Sequence, residues 1–122
     1  MSAGNTEVRE LEWYLRDHLF RQCNAGKMEF VRESLPQEMV SLYLRYRGTS
    51  PSQISELMTA VIQNLVSRNV LEQKGDELKL MGSLMRLQCA NCFYINYLTT
   101  AEPRVCMRCD RGELQEFPQK KA

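Results

Sequence analysis

The chain has 122 residues, 43% hydrophobic and 25% charged, which is typical of one globular domain or of two small units that share a core. Its sixteen basic and fifteen acidic residues give a formal net charge of +1, which excludes the strongly basic field of a nonspecific nucleic-acid binder. No apolar stretch approaches the ~20 residues that a membrane span needs, so we expect no membrane contact.

The N-terminus reads MSAGNTEVRELEWYL and lacks the basic start and apolar run of a secretory signal. Five cysteines, an odd number, argue against a fully paired secreted disulfide framework. We therefore expect an intracellular, cytoplasmic protein in a reducing compartment, with flexible ends at 1–5 and 118–122.

A first helix is predicted from Glu7, with Thr6 as its capping residue and a stop at Asn24-Ala25-Gly26. Apolar side chains recur along it at helical spacing, at Val8, Leu11, Leu15 and Leu19. Three aromatic residues add apolar surface beyond this stripe, namely Trp13, Tyr14 and Phe20. They indicate either a broad core face or a homodimer formed through helix 7–23.

A second helix is predicted to begin near Ser34, which has capping-box spacing with Gln37 and is followed by a Pro36 that a first turn tolerates. Its apolar stripe consists of Met39, Val40, Tyr43 and Leu44, and Gly48 ends it. The preceding segment 28–32 is short and fits either a small strand or a helical turn.

A third helix over 51–68 has the clearest periodicity in the chain, with Ser50 as its cap and Pro51 in its first turn. Its apolar positions are Ile54, Leu57, Met58, Val61, Ile62, Leu65 and Val66. Two short extended segments around Gly75 then predict a β-hairpin over 70–80. Two helices joined by a tight turn and followed by a hairpin predict a winged helix-turn-helix over 6–82, in which helix 51–68 is the recognition helix.

Four cysteines in two C-x-x-C pairs follow, Cys89 with Cys92 and Cys106 with Cys109, and thirteen residues separate the pairs. This spacing is typical of a zinc site, and strand-forming segments at 93–98 and 113–117 predict a zinc ribbon over 84–117. Disulfides, a redox pair and an iron site are the alternatives. Because four thiolates close the coordination shell, we expect one structural Zn²⁺ per chain. No catalytic motif is present, and we expect no enzyme.

Several side chains are candidates for contact with nucleic acid or a partner. They are Arg45 and Arg47 at the end of the second helix, Gln53, Ser55, Thr59 and Gln63 on the third, Lys74 and Lys79 on the hairpin, and Tyr94 and Arg108 in the ribbon. Polar groups of these types bond base edges and phosphates, and aromatic residues beside arginines suit stacking or a protein interface. A plain solvated surface is the alternative.

The predicted α+β fold, a winged helix followed by the ribbon of Cys89, Cys92, Cys106 and Cys109, resembles the alpha subunit of archaeal transcription factor E and its counterpart in general transcription factor IIE. The resemblance implies a non-enzymatic factor that binds RNA polymerase or promoter DNA. We therefore expect a DNA-associated transcription regulator, nucleoid-associated, with helix 51–68 and hairpin 70–80 facing double-stranded DNA. A protein-interaction subunit of a larger transcription or replication complex is the alternative.

Overall fold

The computed structural model describes residues 4–44 and 51–117. Within them the chain has an α+β fold of three α-helices and two three-stranded antiparallel sheets. The helices are α1 (Gly4–Asn24), α2 (Leu35–Met39) and α3 (Pro51–Ser67), and the strands are β1 (Glu29–Val31), β2 (Leu71–Lys74), β3 (Glu77–Leu80), β4 (Leu84–Cys89), β5 (Ile95–Thr99) and β6 (Leu114–Glu116). Some predictions lie outside the described residues. They concern the capping residue Ser50, the stop at Gly48, the contacts of Arg45 and Arg47, and the chain ends 1–3 and 118–122.

Helix α1 confirms the predicted apolar stripe, since Leu11, Leu15 and Leu19 are all buried against the core. It begins at Gly4, so Thr6 lies inside the helix and the predicted cap at that residue is wrong. After Asn24 the chain turns through Gly26, whose φ of 91° lies in the left-handed region that favours glycine. The predicted end of the helix is therefore confirmed.

The segment around α2 departs from its predicted start. Residues Arg32–Ser34 already form a 3₁₀ turn, and a π-helical turn at Val40–Leu44 follows α2. Ser34 therefore has helical backbone angles instead of the extended ones that a capping side chain needs, and its hydroxyl donates to the carbonyl of Val31 (3.0 Å). The predicted capping box is wrong, and the Gln37 amide donates to the Ser41 hydroxyl instead (3.3 Å).

Helix α3 and the hairpin after it match the predicted pattern. Five apolar side chains of α3 are buried: Ile54, Met58, Val61, Ile62 and Leu65. Asn69, at a φ of 61°, ends the helical run, and Gly75, at 59°, occupies the hairpin turn. The ambiguous segment 28–32 contains strand β1, which pairs with β3, so the first sheet has the order β1-β3-β2.

The second sheet is built around β4, which pairs with both β5 and β6. No strand was predicted at β4, although apolar Met85, Leu87 and Cys89 alternate there with polar Arg86 and Gln88. In the fold Leu84, Leu87 and Cys89 are buried and the other three residues are half-buried. The predicted strand at 93–98 begins only at Ile95, since Phe93, directly after the turn at Cys89–Cys92, has a φ of 64°, which lies outside the β region.

Helix α1 contacts both α3 and the second sheet. Its Trp13 indole N–H donates to the carbonyl of Ile95 (2.7 Å), and the rings of Phe20 and Tyr97 lie 5.3 Å apart. The aromatic surface on which the homodimer prediction rested is thus partly covered within the chain, and Trp13, Tyr14 and Phe20 are all half-buried. Homodimerisation stays a prediction. None of the described helices has the length and apolar character to cross a bilayer.

Candidate functional site

The four predicted cysteine ligands converge on one point. Their sulfur atoms all lie within 4.8 Å of one another, with 3.6 Å between Cys89 and Cys109 and 3.6 Å between Cys92 and Cys106. A disulfide needs about 2.05 Å between sulfurs, so all four are free thiols in this arrangement. Four sulfurs at about 2.3 Å from a central ion would be about 3.8 Å apart, which is close to the spacing observed. The cluster could therefore hold a metal ion.

Each C-x-x-C pair is a tight turn that aims backbone amides at its first sulfur. The amides of Asn91 and Cys92 donate to Cys89 Sγ (3.3 and 3.5 Å), and the amide of Arg108 donates to Cys106 Sγ (3.4 Å). The residues after the two turns, Phe93 and Asp110, have φ values of 64° and 60°. These N–H groups stabilise negative charge on sulfur, as metal-bound thiolates require.

Two asparagine side chains complete the surroundings of the sulfurs. The Asn91 amide donates to Cys109 Sγ (3.5 Å) and the fully buried Asn96 amide to Cys106 Sγ (3.6 Å). Asn96 also accepts from the backbone amide of Met107 (2.8 Å), so it ties strand β5 to the second turn. Such contacts from outside the ligand set orient the ligands of metal sites.

Gly112 is placed where no other residue fits. A Cβ atom at this position would collide with Cys89 Sγ and press on the backbone of Asn91. The chain therefore wraps the sulfur cluster at van der Waals distance.

The thiols differ in acidity. The Asn91 side chain and the backbone amides of Arg111 and Gly112 lower the pKa of Cys109 to about 6. Burial raises the pKa of Cys106, but backbone amides and Asn96 outweigh it, so that its pKa is lowered. The amide of Tyr94 acts to lower the pKa of Cys92, yet burial and the neighbouring thiols raise it to about 12. Because a metal ion must displace protons from such thiols, its binding depends on pH.

The remaining histidine and cysteine lie in other surroundings. His18 is buried, its ring is 6.4 Å from that of Phe30, and its Nε2 lies 4.0 Å from a Glu38 oxygen. The Cys23 thiol is half-buried and donates to the carbonyl of Phe20 (3.2 Å). Among the described residues, neither joins the four-cysteine cluster, which offers four sulfur atoms to an ion.

A buried ionic cluster joins the ribbon to α1, and the sequence analysis missed it. The Arg16 guanidinium, 1% exposed, makes two bonds of 2.9 Å to the Glu102 carboxylate and one of 2.6 Å to the Tyr97 carbonyl. Burial acts to raise the pKa of Glu102, but Arg16 outweighs it and the pKa is lowered. A signal was present, because Trp13, Arg16 and Phe20 recur at helical spacing and mark a second contacting face of α1.

The predicted contact residues fall into separate groups. Gln53, Thr59 and Gln63 are exposed on α3 and Ser55 is half-buried beside them, while Lys74 and Lys79 are exposed on the hairpin. The Lys74 ammonium lies 3.6 Å from a Glu72 oxygen. In the ribbon, the Arg108 guanidinium stands 5.7 Å over the Tyr94 ring, whose other neighbour is Trp13 at 6.4 Å. Tyr94 thus belongs to the contact with α1.

The chain was compared with protein-family models, curated proteins and solved structures. No family model, no curated protein and no solved structure matches it. The resemblance to transcription factor E rests on the residues alone, and function must be argued from the geometry above.

Proposed function

We propose that the chain is a winged helix-turn-helix protein with a structural zinc ribbon that binds double-stranded DNA and catalyses no reaction. The element order α1-β1-α2-α3-β2-β3 and the strand order β1-β3-β2 support the first part, because a hairpin directly after the third helix is the arrangement of a wing. The hairpin and α3 are then the DNA-facing elements.

The observation that carries the proposal is the division of α3 into two faces. One face is buried in the core, and the other exposes polar groups that bond bases and phosphates, at Gln53, Thr59 and Gln63. Glu56 is the helix's only charged residue. With a chain charge of +1, contact with DNA depends on this polar face and on a few nearby cations, and not on a general positive field.

Zinc is the metal that the ligand set favours. Four cysteines in a tetrahedral arrangement, with amide donors on the sulfurs, are typical of structural zinc sites, whereas iron is the alternative with the same ligands. Native mass spectrometry of the purified protein should show one Zn²⁺ per chain. A mass without a metal, or one reduced by paired oxidation of the thiols, contradicts the assignment.

Duplex binding is tested by measuring affinity over a series of salt concentrations. We expect binding at low salt that weakens linearly on logarithmic axes, and a slope reduced by about 0.9 in Lys79→Gln if that side chain meets a phosphate. Glu116→Gln, an exposed change on β6 of the ribbon, serves as a comparison. Failure of the unmodified protein to bind duplex at low salt refutes the proposal.

A protein-interaction subunit is the second candidate, and Phe93 favours it. This side chain is 69% exposed at a left-handed backbone position that costs about 1 kcal/mol in a residue other than glycine. Retaining a large exposed aromatic residue there suits an anchor in a partner such as RNA polymerase or another subunit. Capture of purified RNA polymerase by the unmodified chain but not by Phe93→Gly, together with no duplex binding, supports this candidate. Equal capture by both chains contradicts it.

A further inference from the structure

Arg32, at the start of the 3₁₀ turn after β1, connects α3 with the hairpin. Its Nη2 donates to the carbonyl of Ser55 (3.0 Å) and to the hydroxyl of Thr59 (3.2 Å), both on α3. Its backbone amide donates to the carbonyl of Asp76 in the hairpin turn (2.8 Å). One half-buried residue thus lies at the meeting point of the two elements proposed to face DNA.

The positive charge of Arg32 has no counter-ion among the residues that the structure describes. Its bonds go to a carbonyl and a hydroxyl, which are uncharged, and no carboxylate lies within ion-pair distance. By contrast, Arg16 is bonded to Glu102 and Lys74 lies near Glu72. A guanidinium that is held in place by uncharged acceptors has no neighbouring negative charge to offset its own, so it can bind an anion of another molecule.

Arg32 also places a positive charge beside α3. Helix α3 contains no lysine or arginine, so its own exposed face offers no cation to a phosphate backbone. Successive residues of a helix are about 100° apart, which places Ser55 and Thr59 at one edge of the exposed face and Glu56 and Gln63 nearer its centre. The Arg32 guanidinium therefore lies along the flank of α3 on the hairpin side. When a helix enters a groove, its flanks are the parts that meet the phosphates.

We infer that Arg32 contacts a phosphodiester of duplex DNA beside the groove that α3 enters, held in position by Ser55 and Thr59. This inference rests on the proposed function. The contact is to phosphate, so it contributes to affinity equally for every DNA sequence and adds no discrimination between bases. If Arg32 only braces α3, its removal lowers the stability of the fold and leaves the salt dependence of binding unchanged.

The test compares three single variants of the full chain, Arg32→Gln, Arg32→Lys and Arg104→Gln. Arg104 is exposed and donates to the sulfur of Met85 (3.5 Å), so its variant removes the same charge without changing any contact of Ser55 or Thr59. Affinity for two duplexes of unrelated sequence is measured over a salt series, and a circular-dichroism melt at each salt concentration establishes that every variant is folded.

We expect the salt slope of Arg32→Gln to be about 0.9 shallower than that of the unmodified protein, with binding about eightfold weaker at 0.1 M salt on both duplexes. Arg32→Lys should keep the slope because it keeps the charge, and Arg104→Gln should behave like the unmodified protein. Equal slopes for Arg32→Gln and Arg104→Gln, with duplex binding intact, overturn the inference and leave the proposed function standing. A loss confined to one of the two duplexes indicates base contact and also overturns it. No duplex binding by the unmodified chain refutes both.

Discussion

The Glu102→Gln substitution tests whether the buried ionic cluster holds the ribbon against α1. The Glu102 carboxylate, with a side chain 3% exposed, accepts both bonds from Arg16 and one from the amide of Thr99 (3.0 Å). The glutamine side chain has the same shape and keeps one acceptor oxygen, but its NH₂ group is a donor that cannot bond the guanidinium of Arg16. Among the residues that the structure describes, the Glu12 carboxylate, at 3.2 Å, is then the one group of opposite charge still bonded to Arg16.

Removing one partner of a buried ion pair costs about 3–5 kcal/mol. We expect a loss near the lower end, about 3 kcal/mol, because Arg16 keeps both Glu12 and the carbonyl of Tyr97. For a chain of this size that corresponds to a fall in melting temperature of about 10 °C.

The assay is thermal and urea unfolding at pH 7, followed by circular dichroism, with the metal content of each sample determined beforehand. Glu113→Gln is the matched control, since Glu113 is exposed and its substitution should change stability by less than about 0.5 kcal/mol. If Glu102→Gln is no less stable than Glu113→Gln, the cluster does not anchor the ribbon and the argument from burial and bonding is refuted.

Three further predictions concern the metal and the histidine. A strong chelator should shift the fluorescence of Trp13, the chain's one tryptophan, to longer wavelength, because its indole is bonded to Ile95 of the ribbon. Cys106→Ser should produce the same shift without chelator. Unchanged spectra in both experiments would contradict a structural ion. Gly112→Ala should reduce metal affinity in a competition titration, because its new methyl group collides with Cys89 Sγ, whereas Gly82→Ala, with open space at its Cβ, should not. Burial lowers the pKa of His18, so its contribution to stability is complete above its unfolded pKa of about 6.5 and is lost as the pH falls through the lower folded value. The free energy of unfolding should then decline more between pH 7.5 and 5.5 in the unmodified protein than in His18→Gln, and parallel curves would refute the assignment.

What the sequence predicts well here is either local or set by fixed spacing. The apolar stripes of α1 and α3 follow a period of 3.6 residues, the hairpin turns at Gly75, and the four cysteines have the spacing of metal ligands. Each of these patterns can be recognised from residues that are close together in the sequence. The convergence of the sulfurs within 4.8 Å could be anticipated for the same reason.

The missed features depend on residues distant in sequence. Arg16 and Glu102 are 86 positions apart, and although Trp13, Arg16 and Phe20 mark a second contacting face of α1, the sequence does not indicate which residue that face meets. Strand β4 is an exception, because apolar Met85, Leu87 and Cys89 alternate with Arg86 and Gln88, a pattern from which a strand could have been predicted. At Ser34 the capping pattern was correct in composition, but the preceding 3₁₀ turn had already given that residue helical angles.

Helix α1 packs against both sheets, and this constrains its length. Leu11, Leu15 and Leu19 point to the core that α1 shares with α3 and the first sheet, while Trp13 and Arg16 meet the second sheet from another direction around the helix axis. Inserting or deleting one residue in the middle of α1 would rotate everything after it by about 100°, so that both sets of side chains fall out of phase at once. Point substitutions on this helix disturb one contact at a time, but a change in its register detaches the two sheets from each other.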